Sequence, residues 1–370
     1  MADVKTHLRE LSVAFGIKYL LGERQLSLGK FTPQEFFNQC QKAISNDISH
    51  AKNIATSPSF SQEQLEIIKN GVRLADLILR KFGFKSDCDI NWVGLNTQKE
   101  VPVDIIINGI SFSLKEESFI LENMGLYKYI NLMTNSNFGR GLHVFRQFAP
   151  KEYNNWFNVT WNLLLSSSKN STNRLWFSGK YQSEILLVGD EVILTRNGDR
   201  SVLPLNKRLD VDSFDKLTSS VTREYVFSKW INDCVQNNPY YLEVKKHCAE
   251  TAGKNLVEYV KKNLDYTNLK RFLQIYQQEY YYGKTTNVKL KLFKVPNSSE
   301  FQDVFEVKDI YYSVPKSQLN TYTIIANKQT GREIVFRNEN RFSHGQFNGT
   351  PEAKMYYDGG SDLSVIYSDI

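Results

Sequence analysis

Cysteine is scarce and dispersed in this chain. Its four cysteines, Cys40, Cys88, Cys234 and Cys248, form no C-x-x-C pair, which argues against a zinc cluster or a disulfide framework. The five histidines (His7, His50, His143, His247 and His344) stand singly, whereas a metal cluster needs convergent ligands. No apolar run approaches the roughly 18 residues of a membrane span. Met1–Arg9 is charged from the start with no apolar stretch behind it, so no secretory signal is expected. Charge of one sign is lacking as well: 46 Lys and Arg against 40 Asp and Glu leave a net +6. That balance is compatible with a polyanionic partner without demanding one. Internal repeats and coiled-coil heptads are absent. The expectation is a reduced, cytoplasmic protein with no membrane partner.

What is present is ordinary globular composition over 370 residues, 41% of them hydrophobic, enough for two or three domains with sizeable cores. The first 82 residues read as helical. Phe36, Cys40, Ala43 and Ile44 recur at helical spacing, as do Leu65, Ile68, Val72, Ala75 and Leu79. Ser61 with Gln64 predicts a capping box, and Gly83 a helix end. From Asp87 to Lys115 the pattern turns to strands, and Ser118–Met133 returns to helical spacing. Asn154–Leu165 reads as a helix and Ser166–Asn173 as a linker. Leu175–Tyr181, Ile185–Val188 and Glu191–Arg196 suggest an antiparallel meander with turns at Gly189-Asp190 and Asn197-Gly198. Three helices are expected over Thr222–Gln236, Tyr241–Lys262 and Leu269–Tyr282. Val288–Lys294 has a strand pattern, and the remainder reads as mostly β. The domain reading is 1–165 as a core with N-terminal helices, 174–285 as meander plus helices, and 286–370 as a β-rich region.

One segment carries chemistry. Val101–Ile107 and Ile110–Lys115 are β-rich runs joined by Asn108-Gly109, the strongest short-range hairpin signal a sequence offers. A two-residue turn sets Ile107 opposite Ile110, Ile106 opposite Ser111, Asp104 opposite Ser113 and Pro102 opposite Lys115. Side chains alternate faces along each strand. One face then carries Val103, Ile105, Ile107, Ile110, Phe112 and Leu114, all apolar. The other carries Pro102, Asp104, Ile106, Ser111, Ser113 and Lys115. A one-residue slip would destroy this separation. In this register Asp104 and Ser113 have Cβ atoms about 5 Å apart, and Lys115 lies about 7 Å beyond Ser113. A carboxylate can ligate magnesium, and a lysine can hold an attacking water or stabilise a charged phosphate. Phosphodiester hydrolysis needs both. A half-buried hairpin that merely solvates its wet face with Asp, Ser and Lys is the plainer alternative.

Pro102-Val103-Asp104 followed by Ser113-Leu114-Lys115 resembles the P-D…(D/E)-x-K signature of the restriction-endonuclease-like nuclease superfamily. The resemblance covers about Ser61 to Met133 and rests on a loose motif. It implies an α/β (α+β) fold: a restriction-endonuclease-like mixed sheet flanked by helices, here with additional helical and β-rich C-terminal regions. It also implies Mg2+-dependent cleavage of double-stranded DNA, as by a type II restriction endonuclease, and a homodimer acting on palindromes. Asp104 would bind the metal and Lys115 would assist the water. Ser113 stands where the family has its second acid, as in Ser-x-Lys restriction enzymes that recruit a carboxylate from the following helix. Glu122 is the candidate for that carboxylate, with Glu117 as alternative. Glu66, or Glu63, could donate a ligand from the preceding helix. Asp87 or Asp89 would replace Asp104 under a different register.

A nuclease must also hold its polyanion. Lys245, Lys246, Lys261, Lys262, Lys270 and Arg271 cluster on expected helices, and Lys289, Lys291 and Lys294 alternate on a strand. Gly331–Lys354 is richer in base-reading types: Arg337, Arg341, His344, Gln346 and Asn348 sit among aromatics and glycines. Arg pairs with guanine, and Asn or Gln with adenine. Against this stands an ordinary polar turn. His344 lacks the companions an HNH-type nuclease would need. Two rival functions remain open: a repair or recombination nuclease of the same fold, and a non-enzymatic DNA-binding or viral interaction protein.

Overall fold

The computed structural model describes residues 4–22, 32–93, 103–115, 120–122, 126–139, 141–167, 173–265, 280–285, 290–294, 301–358, 365 and 368–369. Helices and antiparallel or mixed sheets alternate along the chain, an α+β arrangement.

Three helices open the chain: α1 (Val4–Leu21), α2 (Pro33–Ala43) and α3 (Gln62–Phe82). Local signals fix the ends of the last two. Thr32 and Glu35 form a capping box on α2, with Pro33 in its first turn. Ser61 and Gln64 do the same for α3, which Gly83 ends at φ +64. Helices α1 and α3 cross closely because small residues meet there. A Cβ added at Gly71 would lie 2.3 Å from Ser12 Cβ, and one at Gly16 would lie 2.8 Å from Ala75 Cβ.

These helices cover one face of a six-stranded sheet ordered β1 (Ile90–Trp92), β2 (Ile105–Ile107), β3 (Ile110–Lys115), β9 (Tyr280–Thr285), β10 (Leu290–Lys294) and β15 (Ser368–Asp369). Strands β1, β2 and β3 form an antiparallel meander, β3 runs parallel to β9, and β10 returns antiparallel. Ile90, Trp92, Ile105, Ile107, Phe112, Leu114 and Leu292 are buried together with Leu8, Leu11, Phe36, Ile68, Leu74 and Ile78 of the helices.

A second apolar cluster gathers the rest of the described chain. It holds a five-stranded antiparallel sheet ordered β11 (Phe305–Ser313), β12 (Asn320–Asn327), β13 (Glu333–Arg341), β14 (Glu352–Tyr357) and β4 (Ile120–Glu122). It also holds a four-stranded meander, β5 (Arg174–Ser178), β6 (Ser183–Val188), β7 (Glu191–Arg196) and β8 (Asp199–Pro204). Tyr153, Trp156 and Phe157 of the helix Pro150–Ser166 pack with Phe227, Phe342 and Phe347 at the centre.

Several sequence expectations are corrected here. Strand β9 pairs with β3, and β10 with β9, so the described residues of 280–294 join the sheet of residues 90–115. Ser118–Met133 is not one helix: Ile120–Glu122 is a strand, and the helix runs Leu126–Thr134. Of the expected helix Leu269–Tyr282, residues 280–282 belong to β9, and the remainder lies outside the described residues. The helix expected over Thr222–Gln236 has π-helical turns at Arg223–Phe227 and Ile231–Val235. No helix among the described residues is long and apolar enough to cross a membrane.

Candidate active site

Asn108 and Gly109 adopt φ of +47° and +80°, the paired positive values of the two-residue turn whose twist suits a hairpin. The register is Ile107 opposite Ile110, Ile106 opposite Ser111 and Ile105 opposite Phe112. Asn108 is held from below, since its Oδ1 accepts from Asp89 N–H at 2.8 Å.

The regular ladder stops at Asp104. Its N–H donates to Phe112 O at 2.9 Å, although Phe112 already faces Ile105. Two residues of one strand therefore oppose one of the other, a β-bulge. The bulge breaks the alternation, and Val103 is buried with the second apolar cluster while Ile105 and Ile107 stay with the first. It also aims the Asp104 carboxylate at β3. Oδ2 accepts from Leu114 N–H at 2.6 Å and from Ser113 Oγ at 3.2 Å. No described residue donates to Oδ1. Asp104 is half-buried, whereas Ser113 is wholly buried. The Ser113 hydroxyl serves as a donor to Asp104 instead of facing outward as a ligand. Lys115 ends β3, two residues beyond Ser113, next to Lys284 of the parallel strand β9. No local pattern marks Lys284, because parallel pairing joins segments remote in sequence.

The other acids are elsewhere. Glu122 sits in β4, opposite Met355, at the border of the five-stranded sheet. It is neither on a helix nor in the sheet of Asp104. The cause is tertiary: residues 120–122 satisfy the open side of β14 before the helix begins at Leu126. Glu66 lies on α3 and accepts from Lys69 Nζ at 2.6 Å, the main reason its carboxyl titrates below the ordinary glutamate value. Glu63 pairs with Lys5 at 2.6 Å. Asp89 is bound by Ser45 and by Asn91 Nδ2. Glu117 and Pro102 lie outside the described residues. Among those residues no group of three or more His, Cys, Asp or Glu side chains is placed to hold a metal ion. What the hairpin offers a cation is one carboxylate oxygen, Asp104 Oδ1. That is a sparse set, which suits magnesium better than calcium, since magnesium retains waters and takes one or two carboxylates plus substrate oxygens.

The base-reading candidates are mostly engaged within the fold. Arg337 lies over Tyr356, 5.3 Å from the ring centroid. Arg341 pairs with Glu339 at 2.8 Å. His344 is exposed, 3.4 Å from Glu224 and 3.9 Å from Glu352. The Gln346 main-chain carbonyl accepts from Ser228 Oγ at 3.0 Å, while its side-chain Oε1 is buried with no partner among the described residues. Asn348 Oδ1 accepts from Arg223 Nε at 3.0 Å, and its Nδ2 donates to His344 O. The segment is fastened onto the helix at 220–235. Among the helical lysines, Lys246 pairs with Glu250, Lys261 pairs with Asp309, and Lys245 packs over Trp156. Lys270, Arg271 and Lys289 lie outside the described residues.

No protein-family model, curated protein or solved structure matches this chain significantly.

Proposed function

We propose that this chain is a Mg2+-dependent endonuclease that hydrolyses double-stranded DNA, of the restriction-endonuclease-like type, with Asp104 and Lys115 at its centre. One observation carries the reading: Asp104 and Ser113 meet at 3.2 Å across the bulge, and Lys115 follows at the carboxyl end of β3. The setting supports it. β3 and β9 run parallel with their carboxyl ends side by side, and in α/β sheets ligands gather at such ends. Helix α3 precedes the meander and packs against the same sheet, as the family resemblance requires.

In this reading Asp104 Oδ1 holds the cation, while Oδ2 stays fixed by Leu114 N–H and Ser113 Oγ. Magnesium supplies neutralisation of the charge that builds on the phosphate. The bonds at Oδ2 hold the carboxylate in one rotamer, so the site is organised before DNA arrives. Lys115 orients the attacking water and stabilises the phosphate oxygens. Glu122, in β4, and Glu66, on α3, are assigned no part in this reading. A homodimer on a palindromic site and a cytoplasmic location belong to the same proposal.

The test is incubation with supercoiled plasmid, with and without magnesium, for the parent, Asp104→Asn and Lys115→Ala. Discrete fragments support a restriction enzyme, and a smear supports a repair-type nuclease. A second reading, a non-enzymatic DNA-binding protein, is favoured by one fact: Asp104 already has a structural duty at Oδ2. Absence of cleavage by the parent with magnesium or manganese, together with retained DNA binding, would select it.

A further inference from the structure

We propose that the DNA backbone is gripped by a basic, tyrosine-lined patch where the meander turns meet the helix at 220–235, formed by Lys180, Arg196 and Lys229 around Tyr181 and Tyr225. The proposal takes the identity of its polyanion from the nuclease reading.

The helix is unusual. Short α-helical pieces at Ser220–Thr222 and Ser228–Trp230 alternate with two π-helical stretches. π turns are rare and occur mostly where function retains them. This helix is held firmly from one side. Gly345, at φ +89, presses so close that an added Cβ would lie 2.2 Å from Ser228 Oγ. The bonds from Ser228 to Gln346 and from Arg223 to Asn348 lock the same contact. Phe227 and Trp230 are buried in the core. Asn348 by its side chain and Gln346 by its main-chain carbonyl therefore brace this helix.

Tyr225 and Lys229 instead meet the meander. The Arg196 guanidinium lies 3.5 Å from the Tyr225 ring centroid. Lys229 Nζ and Lys180 Nζ each lie 5.2 Å from the Tyr181 ring centroid. Arg196 faces Ser183 in the ladder, two residues from Tyr181, so the five side chains form one patch. Exposed Arg200 follows on β8, opposite Thr195.

Their charge is unbalanced. Arg146, Arg174, Lys246, Lys261 and Arg341 all have carboxylate partners. Lys180, Arg196 and Lys229 have no ion pair with any described residue. The tyrosine faces orient the cations without neutralising them. Three like charges set around two rings repel each other until an anion with several charges bridges them, which a phosphodiester backbone does. Base identity is not read there, so the contact is sequence-independent.

The test is anisotropy of a labelled 30-base-pair duplex in EDTA, where cleavage cannot enter, over a salt series. Each lost phosphate contact lowers the log–log salt slope by about 0.9. Lys180→Gln/Lys229→Gln is expected to reduce the slope by about two and to weaken binding about tenfold at ~0.1 M salt. Lys254→Gln, on the neighbouring helix Pro239–Lys262, should bind like the parent. An unchanged slope in the first variant overturns the proposal. So does a parent that binds phosphatidylserine vesicles but no duplex. If the slope falls as expected while the parent cleaves nothing with magnesium, the patch stands and the nuclease reading fails. Intact cleavage with an unchanged slope means the reverse.

Discussion

Asp104 has two jobs in this account, and two substitutions separate them. Asp104→Ala removes the acceptor for Leu114 N–H and Ser113 Oγ. Both donors lie on buried residues of β3. Leaving such a donor unsatisfied costs about 1–3 kcal/mol, so the alanine variant should lose about 2 kcal/mol at the hairpin. Asp104→Asn keeps an oxygen in place and should lose under about 1 kcal/mol, while surrendering the charge a cation needs. Urea unfolding followed by tryptophan fluorescence reads the first quantity, since Trp92 sits on the neighbouring strand β1. Plasmid cleavage with magnesium reads the second. The expected pattern is an alanine variant both unstable and inactive, and an asparagine variant stable and inactive. An asparagine variant that cuts at the parental rate refutes the metal role. An alanine variant as stable as the parent refutes the structural one.

Three further outcomes follow from contacts elsewhere. Gly71→Ala should destabilise by about 1–3 kcal/mol, read as a lower urea midpoint, because its new Cβ would collide with Ser12 where α1 and α3 cross. Gly345→Ala should destabilise by about 2–4 kcal/mol, combining a positive φ with the collision at Ser228, and should weaken duplex binding by loosening the helix that carries Lys229. Burial, reinforced by the nearby charge of Arg146, pushes the His143 imidazole down to about 3. Between that value and the ordinary histidine range the unfolded chain holds a proton that the folded protein refuses. Stability therefore falls with pH across this window, by about 1.4 kcal/mol per pH unit from this residue. His143→Phe should flatten the slope of urea-unfolding free energy between pH 6 and 4 by about that amount, and an unaltered slope would contradict the burial argument.

The hairpin was legible because everything that determines it is local: Asn108-Gly109 sets the turn, and alternation sets the faces. The ends of α3 were legible for the same reason, since Ser61, Gln64 and Gly83 act within one turn. The bulge was not, because it depends on which main-chain acceptors remain free at the end of the ladder, and so alternation alone puts Val103 on the wrong face. Residues 120–122 look helical in sequence because three residues carry too little periodicity to outweigh a helical neighbourhood, whereas the bare side of β14 makes them a strand. Asn348 shows a further limit. An amide that braces Arg223 and an amide that reads adenine have the same sequence signature, and only the partner tells them apart. Lys180, Arg196 and Lys229 are far apart in sequence relative to any motif, so the patch they form emerges only from the ladder and the helix together.

The pairing of β3 with β9 has a temporal consequence. The hairpin leaves the ribosome long before residue 280 does, and at typical synthesis rates that gap is on the order of ten seconds or more. Through that interval the flank of Ile110–Lys115 that will meet Tyr280–Thr285 has no mate within its own chain. A nascent polypeptide with an unmet strand flank can be captured by other growing chains. The cell must shelter it, or the second apolar cluster must fold first and screen it. Expression should therefore improve when translation is slowed or holdase chaperones are supplied, and a chain truncated before residue 280 should precipitate.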